Sequence, residues 1–250
     1  MIDGKKLLEQ FLGTGEQKPA SYDEIGKDLQ TQAGGLQQRI KDSPYGGLGA
    51  GAALGGLAAL MLGTKTGRKL GGGAVKMGAL AALGGLAYRA YNDWRSGQKP
   101  GGPDDARVAE TLEAPPANSE FAPSDDREAS HMGLVLVRAM IAAAKADGHI
   151  DMQERQRILG EVGKLELGDE AQAFLIDELA KPADVDDLAA EAKTPAMAAE
   201  IYAASLMAID TDNAAEKAYL ARLADRLRLD PQLVAHLESK VEAVTTRERA

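Results

Sequence analysis

The run Ala142-Ala143-Ala144-Lys145-Ala146-Asp147-Gly148-His149-Ile150-Asp151-Met152-Gln153-Glu154 closes one helix and opens another. Gly148 supplies the left-handed position that ends a helix, and Asp151 with Glu154 three residues on forms a capping box for the next. A looser copy follows at Ile209-Asp210-Thr211-Asp212-Asn213-Ala214-Ala215-Glu216, where Asn213 and Glu216 stand in the same relation. A helix, bend, helix unit used twice predicts an all-α fold.

Apolar residues recur at helical spacing on either side of these bends. Leu134, Val137 and Ile141 lead into the first, and Ile158, Val162 and Leu165 line the helix that leaves it. A third helix carries Phe174, Leu175 and Leu179, with Asp169 as its expected N-cap and Pro182 beyond its end. A short helix near 184–193 precedes Thr194-Pro195, a cap followed by proline at the first helical position. Ile201, Tyr202, Leu206 and Ile209 then lead into the second bend, and Tyr219, Leu220, Leu223 and Leu227 leave it. After Asp230-Pro231 a last helix presents Leu233, Leu237, Val241 and Val244. No alternating β pattern occurs, so residues 131–250 predict a compact bundle of about seven helices.

The first half of the chain reads differently. Residues 1–45 are polar, with a short amphipathic helix expected at Leu7, Leu8, Phe11 and Leu12 and a weaker one through Ile25, Leu29, Leu36 and Ile40. Gly46 to Gly63 is eighteen residues without a charge, long enough as a helix to reach about 27 Å across a membrane. After the basic turn Lys65, Arg68, Lys69, a second apolar stretch runs from Leu70 to Tyr91 and ends in Tyr88, Tyr91 and Trp94, placed as an interfacial belt would be. Gly47, Gly51, Gly55 and then Ala74, Gly78, Ala82 form small-residue ridges suited to close helix approach and to homo-oligomers. A helical hairpin in the bilayer over 46–95 is expected, with a single span as its rival; the alternative is a flexible Gly-Ala segment, or helices packed inside a soluble assembly. Arg39, Lys41, Arg89, Arg95 and Lys99 on the tail side of the hairpin place both tails in the cytoplasm. Residues 96–130, with five prolines among many acids, read as a disordered linker.

Charge and composition narrow the function. The net charge is −9, and only residues 46–95 are basic, with six Lys or Arg against one acid, so nucleic acid is not an expected partner. With no cysteine there is no disulfide, thiolate nucleophile or zinc-thiolate site. The amino terminus lacks a secretory signal, which leaves an internal segment to do any inserting. Three scattered histidines, His131, His149 and His236, without a nucleophile elbow or P-loop, argue against an enzyme.

The bends carry the candidate site. Capping and helix dipoles account for Asp151, Glu154, Asn213 and Glu216 without any ligand. They do not account for Asp147 and Asp210 at helix C-termini, where the dipole disfavours carboxylates, nor for Asp212. Crowded carboxylates are what a hard cation, Ca²⁺ or Mg²⁺, requires. The EF-hand pattern fails, because Met152 takes its glycine position and Ile158 that of its bidentate glutamate.

The bend at 142–154, the later Asp210-Thr211-Asp212 with Glu216 and Tyr219-Leu220, and the helix count resemble the TerB-like domain associated with tellurite resistance. A Gly-rich apolar middle joined by an acidic linker to such a domain is similar to the YebE-like inner membrane protein family. The resemblance implies a bacterial inner (plasma) membrane protein in which Asp147, Asp151, Glu154, Asp210, Asp212 and Glu216 match acidic positions proposed to bind a divalent ion; Asn213 departs from two equal sites. The expected function is a membrane-tethered binding module for a divalent cation in envelope or metal stress. The alternative is an anchored adaptor that oligomerises through its glycine ridges and docks an unknown protein partner without metal.

Overall fold

The computed structural model describes residues 2–12, 77–102, 105–146, 168–209 and 214–246. Its helices in chain order are α1 (Gly4–Phe11), α2 (Ala79–Arg95), α3 (Val108–Thr111, entered through a 3₁₀ turn at Asp105–Arg107), α4 (Asp126–Ala144), α5 (Asp169–Ala180), α6 (Val185–Glu191), α7 (Pro195–Met207), α8 (Ala214–Arg226) and α9 (Pro231–Thr246). Among the described residues there is no strand.

Helix α7 is the axis. Every residue from Ala196 to Met207 is buried, and its five alanines let neighbours approach on all sides. It packs against α4, α2, α9 and α8. Thr194 Oγ1 accepts from the Met197 amide at 3.1 Å and Pro195 takes the first helical position, as expected. At α5 the cap is one residue earlier than expected: Gly168 holds that position, and Asp169 and Glu170 lie in the first turn, where the dipole favours them.

Helix α1 joins the same core. Asp3 caps it through the Lys6 amide at 3.0 Å, and Leu7, Leu8, Phe11 and the following Leu12 are buried. Its partner is α4, met at two glycines: a methyl on Gly133 would lie 2.3 Å from the Gly4 carbonyl oxygen. Ser130 fastens the crossing, its Oγ accepting from the Gly4 amide and donating to the Ile2 carbonyl, both at 2.9 Å. Ser130-His131 therefore lies one turn inside α4, which Asp125 caps through Glu128 N at 2.8 Å.

Two expectations are corrected. The second arm of the expected membrane hairpin is, from Ala79 onward, a core helix: Leu80, Leu83, Leu86, Ala87 and Ala90 are buried and α2 packs on α7 and α9. Among the described residues no helix is long and apolar enough to cross a membrane. The expected interfacial belt is an internal aromatic cluster, with Phe121 5.6 Å from Tyr88 and 5.5 Å from Tyr91, and Trp94 5.4 Å from Tyr91. An uncharged Gly-Ala run suits a lipid-facing ridge and a close-packed core equally, and here packing takes it.

The described part of the expected linker, 96–130, is likewise a folded strap. Val108, Leu112 and Phe121 are buried. Methyls on Gly84 and Gly85 would lie 2.8 Å from the Phe121 carbonyl oxygen and 2.0 Å from that of Glu113, so the strap lies on α2 where side chains are missing. Arg89 of α2 donates to the Thr111 hydroxyl at 2.7 Å. A few well-placed apolar residues and two glycines suffice where average composition predicts disorder, and the core is continuous across the boundary expected at 130. The expected second helix after the first bend, and residues 13–76 with the first arm of the hairpin, lie outside the described residues.

Candidate functional site

Of the six residues expected to hold a cation, Asp147, Asp151, Glu154, Asp210 and Asp212 lie outside the described residues, as do His149 and Asn213. Glu216 is half-buried in the first turn of α8. Among the described residues no group of three or more His, Asp or Glu is arranged to hold a metal ion.

The helices that lead into the two bends are described, and their relation matters. Ser205 Oγ lies 3.5 Å from the Ala139 carbonyl near the C-terminal ends of α7 and α4. Further back along both, the Glu128 charge acts on Glu200. The two helices thus run parallel and finish at the same end of the molecule, and α8, which leaves the second bend, packs against both.

That end carries its own charge pattern. Lys145, the last turn before Asp147, donates to the carbonyls of Glu178 at 3.1 Å, Leu179 at 3.0 Å and Lys181, capping the C-terminus of α5 where a cation is favoured. Arg138 bridges Glu178 at 3.4 Å and, on its other side, Glu191 at 3.0 Å, with Lys181 2.6 Å from Glu178; toward the start of α4, His131 lies 3.5 Å from Glu191. Between these groups lies a cleft of about 130 Å³ lined by Arg138, Lys145, Glu178, Lys181, Asp184 and Asp187.

Two buried polar features escaped the sequence reading. At the seam of α2, α9 and the strap, Lys240 is 0% exposed, its Nζ 2.5 Å from Asp93 Oδ2 and paired with Asp105 Oδ1. Ser239 Oγ donates to Asp105 Oδ2 at 2.5 Å, the Gly101 amide donates to the same oxygen at 2.8 Å, and His236 Nε2 lies 3.1 Å from the Gln98 carbonyl. Burial pushes the Asp105 carboxyl up, and hydrogen bonds from Lys240, Ser239 and Gly101 outweigh it, leaving that group below its ordinary value. The network pins the strap to α9 and is a structural tie.

The second feature is Glu200, 0% exposed at the middle of α7, with neither carboxyl oxygen hydrogen-bonded. A methyl on Gly84 would lie 3.1 Å from its Oε1 and 2.8 Å from the Phe121 carbonyl. Burial first, and the Glu128 charge second, push its carboxyl well above the ordinary glutamate value. A signal existed in the sequence: Glu200 is the one charged residue between Pro195 and Met207.

Residues 47–241 match the model of a family described as a protein of unknown function, DUF533. The chain belongs to the DUF533 family. The match spans α2 to α9, so the family includes the Gly-rich segment and the strap as well as the later helices. This DUF533 member is also 28% identical over 127 residues to the "Uncharacterized protein in ampR 5'region" of Yersinia enterocolitica, a stretch covering 51% of this chain and 88% of that protein. No solved structure matches.

Proposed function

We propose that this DUF533 protein is a TerB-like binding module, associated with the bacterial inner membrane from its cytoplasmic side, whose two acidic bends together take one divalent cation, Ca²⁺ or Mg²⁺. The observation that carries the reading is the parallel course of α4 and α7, whose C-termini lead into both bends from one end of the fold. Carboxylates that would repel one another there are an arrangement in which a hard cation offsets the repulsion. Asp147, Asp151, Glu154, Asp210, Asp212 and Glu216 are the proposed ligands.

Calorimetric titration of the full chain tests it. The full chain is required because α1 and α2 are part of the core that a 131–250 fragment would leave open. Saturable binding of Ca²⁺ or Mg²⁺ is expected, with about 2.7 kcal/mol of added stability at a hundredfold excess over Kd. The Asp147→Asn, Asp210→Asn double variant should lose both. No saturable heat from the unmodified chain would leave the adaptor role in its place.

The membrane part of the proposal takes a restricted form. Leu12 at the end of α1 and Leu80 in the first turn of α2 are buried in one core, so a chain crossing the bilayer once between them would separate elements that pack together. Insertion of the uncharged residues 46–63 from one side, aided by the basic charge of residues 46–95 against anionic lipid, meets that constraint. The full chain should float with anionic vesicles, and deletion of residues 46–63 should abolish flotation. Flotation that survives the deletion would dismiss the segment as the anchor.

A further inference from the structure

Glu200 stands where α7, α2 and the strap meet, within reach of the Glu128 charge on α4. Its carboxyl faces the bare backbone of Gly84, the Phe121 carbonyl that lies on it, and Pro115 beside them. None of these donates a hydrogen bond to it. An ionised carboxylate in that position has lost its water with nothing in exchange, whereas a neutral one is tolerated.

The surrounding charges deepen the asymmetry. From α4 the Glu128 charge acts on it, and that carboxylate accepts from Ser124 Oγ at 2.5 Å and Ser124 N at 2.7 Å. The Ser124 hydroxyl first, then its amide, hold Glu128 below its ordinary value, so it stays ionised wherever Glu200 titrates. Among the described residues no cation pairs with it: Lys240 of α9 is committed to Asp93 and Asp105, Glu238 of α9 meets the Tyr202 hydroxyl at 3.2 Å, α6 turns Asp186 to Arg226, and Arg222 of α8 acts on Tyr219. The strap contributes a carbonyl and a proline, and α2 a glycine.

We propose that Glu200 is a proton-operated latch on the strap: neutral, it lets residues 112–125 close over Gly84 of α2 and the middle of α7; ionised, it drives that segment off. The parts that move are few. The strap is held there by Phe121 among Tyr88 and Tyr91, by the close approach to Gly84 and Gly85, and by Ser124 on Glu128. Because the folded protein holds this proton more tightly than the unfolded chain, the latch is fully closed at low pH and its contribution is lost as pH rises past the ordinary glutamate value of 4.5 toward the raised one.

The test is hydrogen exchange on the full chain from about pH 4 to about pH 9, the span over which buried glutamates titrate, corrected for the intrinsic pH dependence. Trp94, the one tryptophan, reports on the same cluster by fluorescence. Residues 112–125 should lose protection along a single-proton curve while α7 amides remain protected. Glu200→Gln should abolish the transition, and Glu128→Gln should move its midpoint to lower pH. A transition that persists in Glu200→Gln, a wild-type strap that stays protected throughout, or simultaneous loss of α7 protection would each overturn the latch. If Glu200→Gln does not fold, the Glu128→Gln midpoint decides alone: moved, the latch stands; unmoved, it falls.

Discussion

Lys240→Met should lower the stability of the protein by about 3–5 kcal/mol in urea titration, the range for breaking a buried ion pair from one side. Methionine matches the lysine stem in length, so the loss is of charge more than of volume. Asp93 and Asp105 would then face each other at the seam of α2, α9 and the strap without a cation between them. The pH dependence identifies the cause. In the natural protein Asp105 lies below its ordinary value of 3.8, so its contribution is present above that pH and fades as pH falls through the lower, folded value. In Lys240→Met the burial that pushes Asp105 up is no longer offset by its main partner, and the sign reverses. The deficit should therefore be largest near neutrality and shrink on acidification. A deficit equal at pH 7 and pH 4 would mean that lost packing, and not stranded charge, is responsible.

Gly133→Ala is expected to weaken the docking of α1. The added carbon would lie 2.3 Å from the Gly4 carbonyl oxygen and 2.7 Å from the Lys5 amide nitrogen, and backbone atoms have no rotamer by which to withdraw. Overpacking of a core ordinarily costs about 1–3 kcal/mol. Here the upper end, about 3 kcal/mol, is expected, because the alternative to strain is exposure of Leu7, Leu8, Phe11 and Leu12, each worth up to about 1.5–3 kcal/mol when buried. Hydrogen exchange should show residues 3–12 losing protection while α7 keeps it. Gly102→Ala is the control, since its new carbon would meet only the Lys99 carbonyl at 3.7 Å, an ordinary contact, and should change stability by less than about 0.5 kcal/mol. Protected α1 amides in Gly133→Ala would show that the crossing can widen at no great cost.

The helices of the second half were legible because their signals are local. Thr194-Pro195 and Asp230 act through backbone amides two or three residues away, and Asp230 Oδ1 does meet Gln232 N at 2.7 Å. The apolar faces of α4 and α9 repeat every three or four residues, and α7 is apolar nearly throughout, so none needs knowledge of its partners. What failed was non-local. Whether Leu83 and Leu86 face lipid or α7 depends on a helix more than a hundred residues later, and the pattern within α2 is the same in either case. The strap was misread because Phe121 and Leu112 are too widely spaced to register as periodicity, and the strap backbone at Phe121 and Glu113 rests on glycines of another element. Lys240 and Glu200 were passed over for a related reason: a charge on a helix is read as its solvent face until the neighbours are known. The acidic bends remain a reading of the sequence alone; the structure describes α4 and α7, the helices that precede them.

The docking of α1 has a bearing on how the chain is made. The residues that cradle it, Ser130, Gly133 and Leu134, leave the ribosome more than a hundred residues after Phe11. At synthesis rates of about 5–20 residues per second, that is an interval of roughly 6–25 s. Throughout it α1 lacks its groove on α4, and its four apolar side chains are available to chaperone or bilayer. Docking of α1 therefore waits for α4, although its own residues are made long before.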